Sequence, residues 1–101
     1  MKEYNVRDKI PEIIKEAGEK STTHTAEEKE YAEALTRKLQ EEVAEFLANP
    51  SVEEAADVLE VIQAICALKE IDTSKFEEIR QKKADERGGF KDRIILDRIE
   101  K

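Results

Sequence analysis

The sequence predicts an all-α protein, an antiparallel bundle of about four helices, and three observations carry that expectation. Ala, Glu, Lys, Leu and Ile dominate a chain that holds only three Gly and two Pro, a composition that favours helix over sheet. Apolar residues recur every three or four positions rather than every second one. Three Ser/Thr-x-x-Glu signatures stand at the heads of such stretches, where capping boxes start helices.

The first helix is short. Pro11, following Arg7-Asp8-Lys9-Ile10, suits a first turn, and Gly18 ends the segment. Residues 19–25 are polar and read as a surface loop. Thr25 with Glu28 forms a capping box that opens a long helix reaching about Ala48, with Tyr31, Leu35, Leu39, Val43 and Phe46 as its apolar stripe. Asn49-Pro50 breaks it. Ser51 with Glu54 caps the next helix, which runs to about Lys69 and is apolar almost all round, so it is expected at the buried centre. Ser74 with Glu77 caps a fourth helix that Gly88-Gly89 ends. The tail, Phe90 to Lys101, fits an extended arm or a short helix equally well. With no repeats, linkers or low-complexity segments, residues 1–101 read as a single domain.

Composition also limits function. No apolar run approaches the ~20 residues that span a bilayer, and no signal-peptide pattern opens the chain, so a cytoplasmic protein without membrane contact is expected. Cys66 is the only cysteine and reads as a buried core thiol. A net charge of −7 argues against stable nucleic-acid binding. That charge is unevenly spread: Glu30 to Glu60 is strongly acidic, whereas Ile79 to Arg93 is basic. A metal-and-phosphate site needs both characters.

The most informative stretch is Glu41-Glu42-Val43-Ala44-Glu45, followed after eight residues by Glu54-Ala55-Ala56-Asp57. Residues three apart on a helix are surface neighbours, so Glu42 pairs with Glu45, and Glu54 with Asp57. The short join at 48–51 makes the two helices antiparallel neighbours. Glu45 and Glu54 are equidistant from the turn, as are Glu42 and Asp57. Four carboxylates therefore form two rungs about 4.5 Å apart. Glu42 lies on the apolar stripe, so the group faces inward, and Glu41 points away. Converging buried carboxylates repel strongly. They must bind hard cations, meet basic side chains or protonate. Deleting one is then expected to leave the metal-free protein as stable as before. Oxygen ligands without His or Cys favour Mg²⁺ or Mn²⁺ over Zn²⁺. On the fourth helix Arg80, Lys83 and Arg87 form a ridge, read either as solvated helix-end cations or as a phosphate clamp. His24 stands alone in a loop and is assigned no catalysis.

EExxE followed by ExxD on adjacent helices resembles the all-α nucleoside triphosphate pyrophosphohydrolases of the MazG superfamily. The opening Tyr4-Asn5-Val6-Arg7-Asp8-Lys9-Ile10-Pro11 and the late Lys83-Ala84-Asp85-Glu86-Arg87-Gly88-Gly89-Phe90 resemble its phosphoribosyl-ATP pyrophosphohydrolase-like branch. Two features depart from that branch: the acidic pairs are closely spaced, and two residues usual between Asn5 and Val6 are missing. The resemblance implies a Mg²⁺-dependent hydrolase that cleaves the α–β phosphate bond of a nucleoside triphosphate and works as a homodimer or homotetramer. It implies Glu42, Glu45, Glu54 and Asp57 as metal ligands and Lys83 and Arg87 as phosphate contacts, with Arg80 beside them. Glu41, Glu42 and Glu45 become the catalytic carboxylates, Glu41 as an outer ligand or a base for water. House-cleaning of non-canonical nucleotides fits best. The alternatives are phosphoribosyl-ATP pyrophosphohydrolase of histidine biosynthesis and a non-catalytic helical interaction module.

Overall fold

A computed structural model of the chain describes residues 7–100. It is all-helical: α1 (Ile10–Glu16), α2 (Glu28–Ala48), α3 (Val52–Leu68) and α4 (Phe76–Arg87), with no strand among the described residues. No described helix is long and apolar enough to cross a membrane. The chain divides into two compact units, one ending at Ile71 and the other beginning at Asp72.

The first unit is organised by the α2–α3 hairpin, whose two helices pack along each other. Three residues, Asn49, Pro50 and Ser51, join them, so the helices run antiparallel. Ser51 is the N-cap of α3, and its Oγ accepts from the Glu54 amide at 3.1 Å, which satisfies one of the amides left open in a first turn. The other two expected capping boxes do not form. Helix α2 begins three residues after Thr25, with Glu27 as its N-cap, and gains instead from Glu28 and Glu30 against its positive end. Helix α4 has Lys75 as its N-cap, and Asp72 rather than Ser74 shapes the entry, accepting from the Ser74 amide at 2.9 Å. That bond holds the Asp72 carboxyl below its ordinary range.

Two helices of the first unit end in paired closing bonds. After α1, the Gly18 amide donates to Lys15 and the Glu19 amide to Ile14, with Gly18 at φ +82°. After α3, Glu70 donates to Ala67 and Ile71 to Cys66, but the left-handed position is Glu70 at φ +58°. Both are Schellman closures. Only the first has the residue that suits it.

Burial corrects the expected faces. On α2 the buried residues are Leu35, Lys38 and Glu42, whereas Val43 is exposed. At about 100° per residue, Val43 lies some 80° from Leu35, at the edge of the stripe rather than on it. Helix α3 is not a buried centre: of its apolar residues only Val61 is buried, and Val52 and Leu59 are exposed. Cys66 is half-buried. The described tail, through Glu100, carries no helix, and Phe90, Ile94, Ile95, Leu96 and Ile99 are exposed.

Candidate metal centre

Facing positions of the hairpin bring together oxygens of Glu42, Glu54 and Asp57, all within 4.8 Å of one another. Their placement follows from the local sequence. Glu42 stands two turns after Leu35 on the inward ridge of α2, so the packing that buries Leu35 carries its carboxylate inward. Glu54 occupies the third position of α3 and is fixed there by the Ser51 cap. Asp57 follows one turn later. Glu45, the fourth expected ligand, is half-buried one turn beyond Glu42 and is outside this three-residue group.

Sequence reasoning missed Lys38. Its side chain is only 2% exposed, and its Nζ lies 3.2 Å from Oε1 of Glu42 and 3.9 Å from Oε2 of Glu41. A lysine so deeply buried is tolerated only with an anionic partner. The signal was present: Lys38 is three residues after Leu35 and four before Glu42, on the same ridge. Glu41 accordingly does not point away, since its Oε2 is shielded from water. A second cation comes from outside the hairpin. Arg7 donates through Nη2 to Oδ1 of Asp57 at 2.8 Å, across fifty positions of sequence.

These residues fit a hard divalent cation on two grounds. Glu42 is 3% exposed, and while its Oε1 meets Lys38, its Oε2 is buried with no hydrogen-bond partner. Such an orphaned acceptor carries a cost of about 1–3 kcal/mol that a cation would remove. The donor set is also all oxygen, as Mg²⁺ or Mn²⁺ prefers. Formally, Glu41, Glu42, Glu54 and Asp57 carry four negative charges against two positive ones on Lys38 and Arg7.

The expected clamp residues lie in the second unit. Lys83 and Arg87 are exposed on α4. Arg80 is held by its own helix, with its Nε donating to Glu77 Oε2 at 2.9 Å. This bond keeps the Glu77 carboxyl below its ordinary range and raises the guanidinium. His24 is not alone: its Nε2 lies 2.9 Å from Oε1 of Glu30, and both side chains are exposed.

Sharing Arg7 and Lys38 with this group, residues 7–9 and residues of α1, α2 and α3 line an open cleft of about 390 Å³. Arg7, Lys9 and Lys38 supply cations to its wall, Asp8 and Glu60 supply carboxylates, and Ile10, Tyr31 and Leu35 supply apolar surface. Comparison with protein-family models, with curated proteins and with solved structures finds no match.

Proposed function

We propose that the protein is a Mg²⁺-dependent nucleoside triphosphate pyrophosphohydrolase that releases nucleoside monophosphate and pyrophosphate, clearing non-canonical nucleotides. The observation that carries this reading is the convergence of Glu42, Glu54 and Asp57, together with a buried Glu42 oxygen, Oε2, that has no hydrogen-bond partner. The EExxE/ExxD likeness to the MazG superfamily supplies the reaction class.

In this reading Glu42, Glu54 and Asp57 hold the cation, and Glu45 stands one turn away on the Glu42 side. When bound, Mg²⁺ supplies charge neutralisation at the phosphate oxygens. Lys38 keeps Glu42 oriented, because its ion pair takes one oxygen and leaves the other buried without a hydrogen-bond partner. Glu45 accepts the proton of the water that attacks the α-phosphorus, while the α–β bond breaks and its electron pair leaves with pyrophosphate. Lys83 and Arg87 enter as phosphate contacts on motif likeness, and Arg80 less so, given its Glu77 partner. A homodimer or homotetramer is part of the proposal. The first unit exposes Val43, Leu47, Val52 and Leu59 on its hairpin, apolar side chains that a second copy would cover.

The test is pyrophosphate release from a nucleotide panel that includes phosphoribosyl-ATP, with Mg²⁺ or with chelator, for the parent and for Asp57→Asn. Mg²⁺-dependent release lost in the variant is expected. No release from any nucleotide, together with no Mg²⁺-dependent thermal stabilisation, would leave the helical interaction module as the better reading.

A further inference from the structure

The Arg7-Asp8-Lys9 segment has no role in the function read from the carboxylates, yet its arginine meets one of them, Asp57. Arg7 is 43% exposed and its partner Asp57 40% exposed, so the pair stands at the rim of the three-carboxylate group rather than inside it. The same arginine lines the neighbouring cleft together with Lys9 and Lys38. The guanidinium therefore borders two environments, a group of carboxylates and a cleft that carries Arg7, Lys9 and Lys38 against Asp8 and Glu60 and is apolar around Tyr31 and Leu35. A volume of about 390 Å³ is within the range of small-molecule pockets.

Asp57 faces competing demands. Its Oδ1 accepts from Arg7, and its carboxylate belongs to the group that would hold a cation. A divalent ion there weakens the attraction that holds the guanidinium and adds like-charge repulsion. The buried Lys38–Glu42 pair has no comparable path to solvent, whereas the half-exposed arginine can turn away.

We propose that Arg7 is a substrate-phosphate contact made available by metal binding, resting on the pyrophosphohydrolase reading above. Cation binding at Asp57 releases the guanidinium, which turns toward the cleft and, with Lys9, grips the phosphate chain. The planar guanidinium suits that task, since it binds phosphate oxygens in a bidentate manner. The nucleoside then occupies the apolar part of the cleft against Tyr31. Without metal, Arg7 neutralises Asp57 and the cleft has one cation fewer to offer.

The experiment uses the full chain and two probes, Mg²⁺ alone and magnesium tripolyphosphate, which carries the phosphate chain without base or sugar. Binding is measured by calorimetry for the parent, Arg7→Met and Arg7→Lys, with circular dichroism in chelator confirming that each is folded. Arg7→Met is expected to bind Mg²⁺ alone several-fold more tightly, because a competing cation is gone. It is expected to bind magnesium tripolyphosphate at least tenfold more weakly, and Arg7→Lys to recover part of that loss. Tripolyphosphate binding equal to the parent's in Arg7→Met overturns the proposal, leaving Arg7 as a surface ion pair. Weaker Mg²⁺ binding in that variant also overturns it, since Arg7 would then be orienting Asp57 for the metal. A parent that binds neither probe sinks the pyrophosphohydrolase reading itself, a result distinct from both.

Discussion

Replacing Glu42 by alanine in the metal-free protein sets two electrostatic effects against each other. The loss is the pairing with Lys38, whose Nζ is 3.2 Å from Oε1 with both side chains almost fully buried. At an effective dielectric near 20, that separation corresponds to about 5 kcal/mol of attraction. The gain is relief of repulsion from Glu54, whose oxygen lies within 4.8 Å, or at least about 3.5 kcal/mol on the same scale. Asp57 adds little, because it is 40% exposed and already meets Arg7. The net attraction is then at most about 2 kcal/mol, and the lysine left behind loses the Glu42 counter-charge while keeping Glu41 at 3.9 Å. Breaking a buried pair costs about 3–5 kcal/mol, and Glu41 keeps the expected loss near the lower end. Urea unfolding in chelator should therefore show Glu42→Ala less stable by about 2–4 kcal/mol. Adding Lys38→Met should restore much of that loss, a coupling read directly from the double-mutant cycle. With Mg²⁺ present the gap should widen, since the parent gains from binding and the variant gains less. A Glu42→Ala protein as stable as the parent in chelator would refute the argument and return the site to the simple repulsion that charge counting expects.

Ser51→Ala removes the Oγ acceptor for the Glu54 amide; chemical denaturation should show a loss of about 1 kcal/mol, and Mg²⁺ affinity should fall as the first turn of α3 frays. Glu70→Gly relieves a left-handed backbone at φ +58° on an exposed side chain and should raise stability by about 1 kcal/mol, read from the urea midpoint. Lys83→Met keeps the apolar stem of an exposed residue, so unfolding should change little. Its kcat/KM for pyrophosphate release should fall about 10- to 100-fold, equivalent to roughly 1.4–2.8 kcal/mol of transition-state stabilisation. Unchanged kinetics would make Lys83 a solvated helix-end cation.

Helix count, helix order and the hairpin were legible in the sequence because they depend on local signals: Asn49-Pro50 as a break, Ser51 as a cap, Gly18 and Gly88 as ends. The convergence of Glu42, Glu54 and Asp57 was legible too, since a three-residue join leaves an antiparallel pair little freedom in register. Two of three capping boxes were not. Thr25-x-x-Glu28 and Ser74-x-x-Glu77 satisfy the pattern, but Glu-rich helices supply a Glu three residues after almost anything, and Asp72 competes for the Ser74 amide. The buried face of α2 was misjudged because hydropathy alone was scored. Leu35, Lys38 and Glu42 define that face; Leu35 and Glu42 were legible on it, and Lys38 was passed over because it is a cation. Arg7 could not be paired with Asp57 from sequence, because no periodicity relates residues fifty positions apart.

The two cations of the site solve one problem by different routes. Carboxylates close enough to share a metal repel when it is absent, and a protein that folds before it binds metal needs a substitute charge. Lys38 provides one from within the hairpin: it is buried and meets only one oxygen of Glu42, so it can remain in place whether or not the other oxygen holds a cation. Arg7 provides the other from the rim, where 43% exposure leaves it an exit. The permanent cation stands where departure would strand a buried charge, at a cost of several kcal/mol. The exchangeable one stands where water can receive it, so an exposed ion pair contributing about 0–1 kcal/mol is easily given up. In the proposed enzyme that difference determines what the substrate meets. Lys38 keeps a ligand aimed, and Arg7, once displaced, becomes a group the phosphate chain can use.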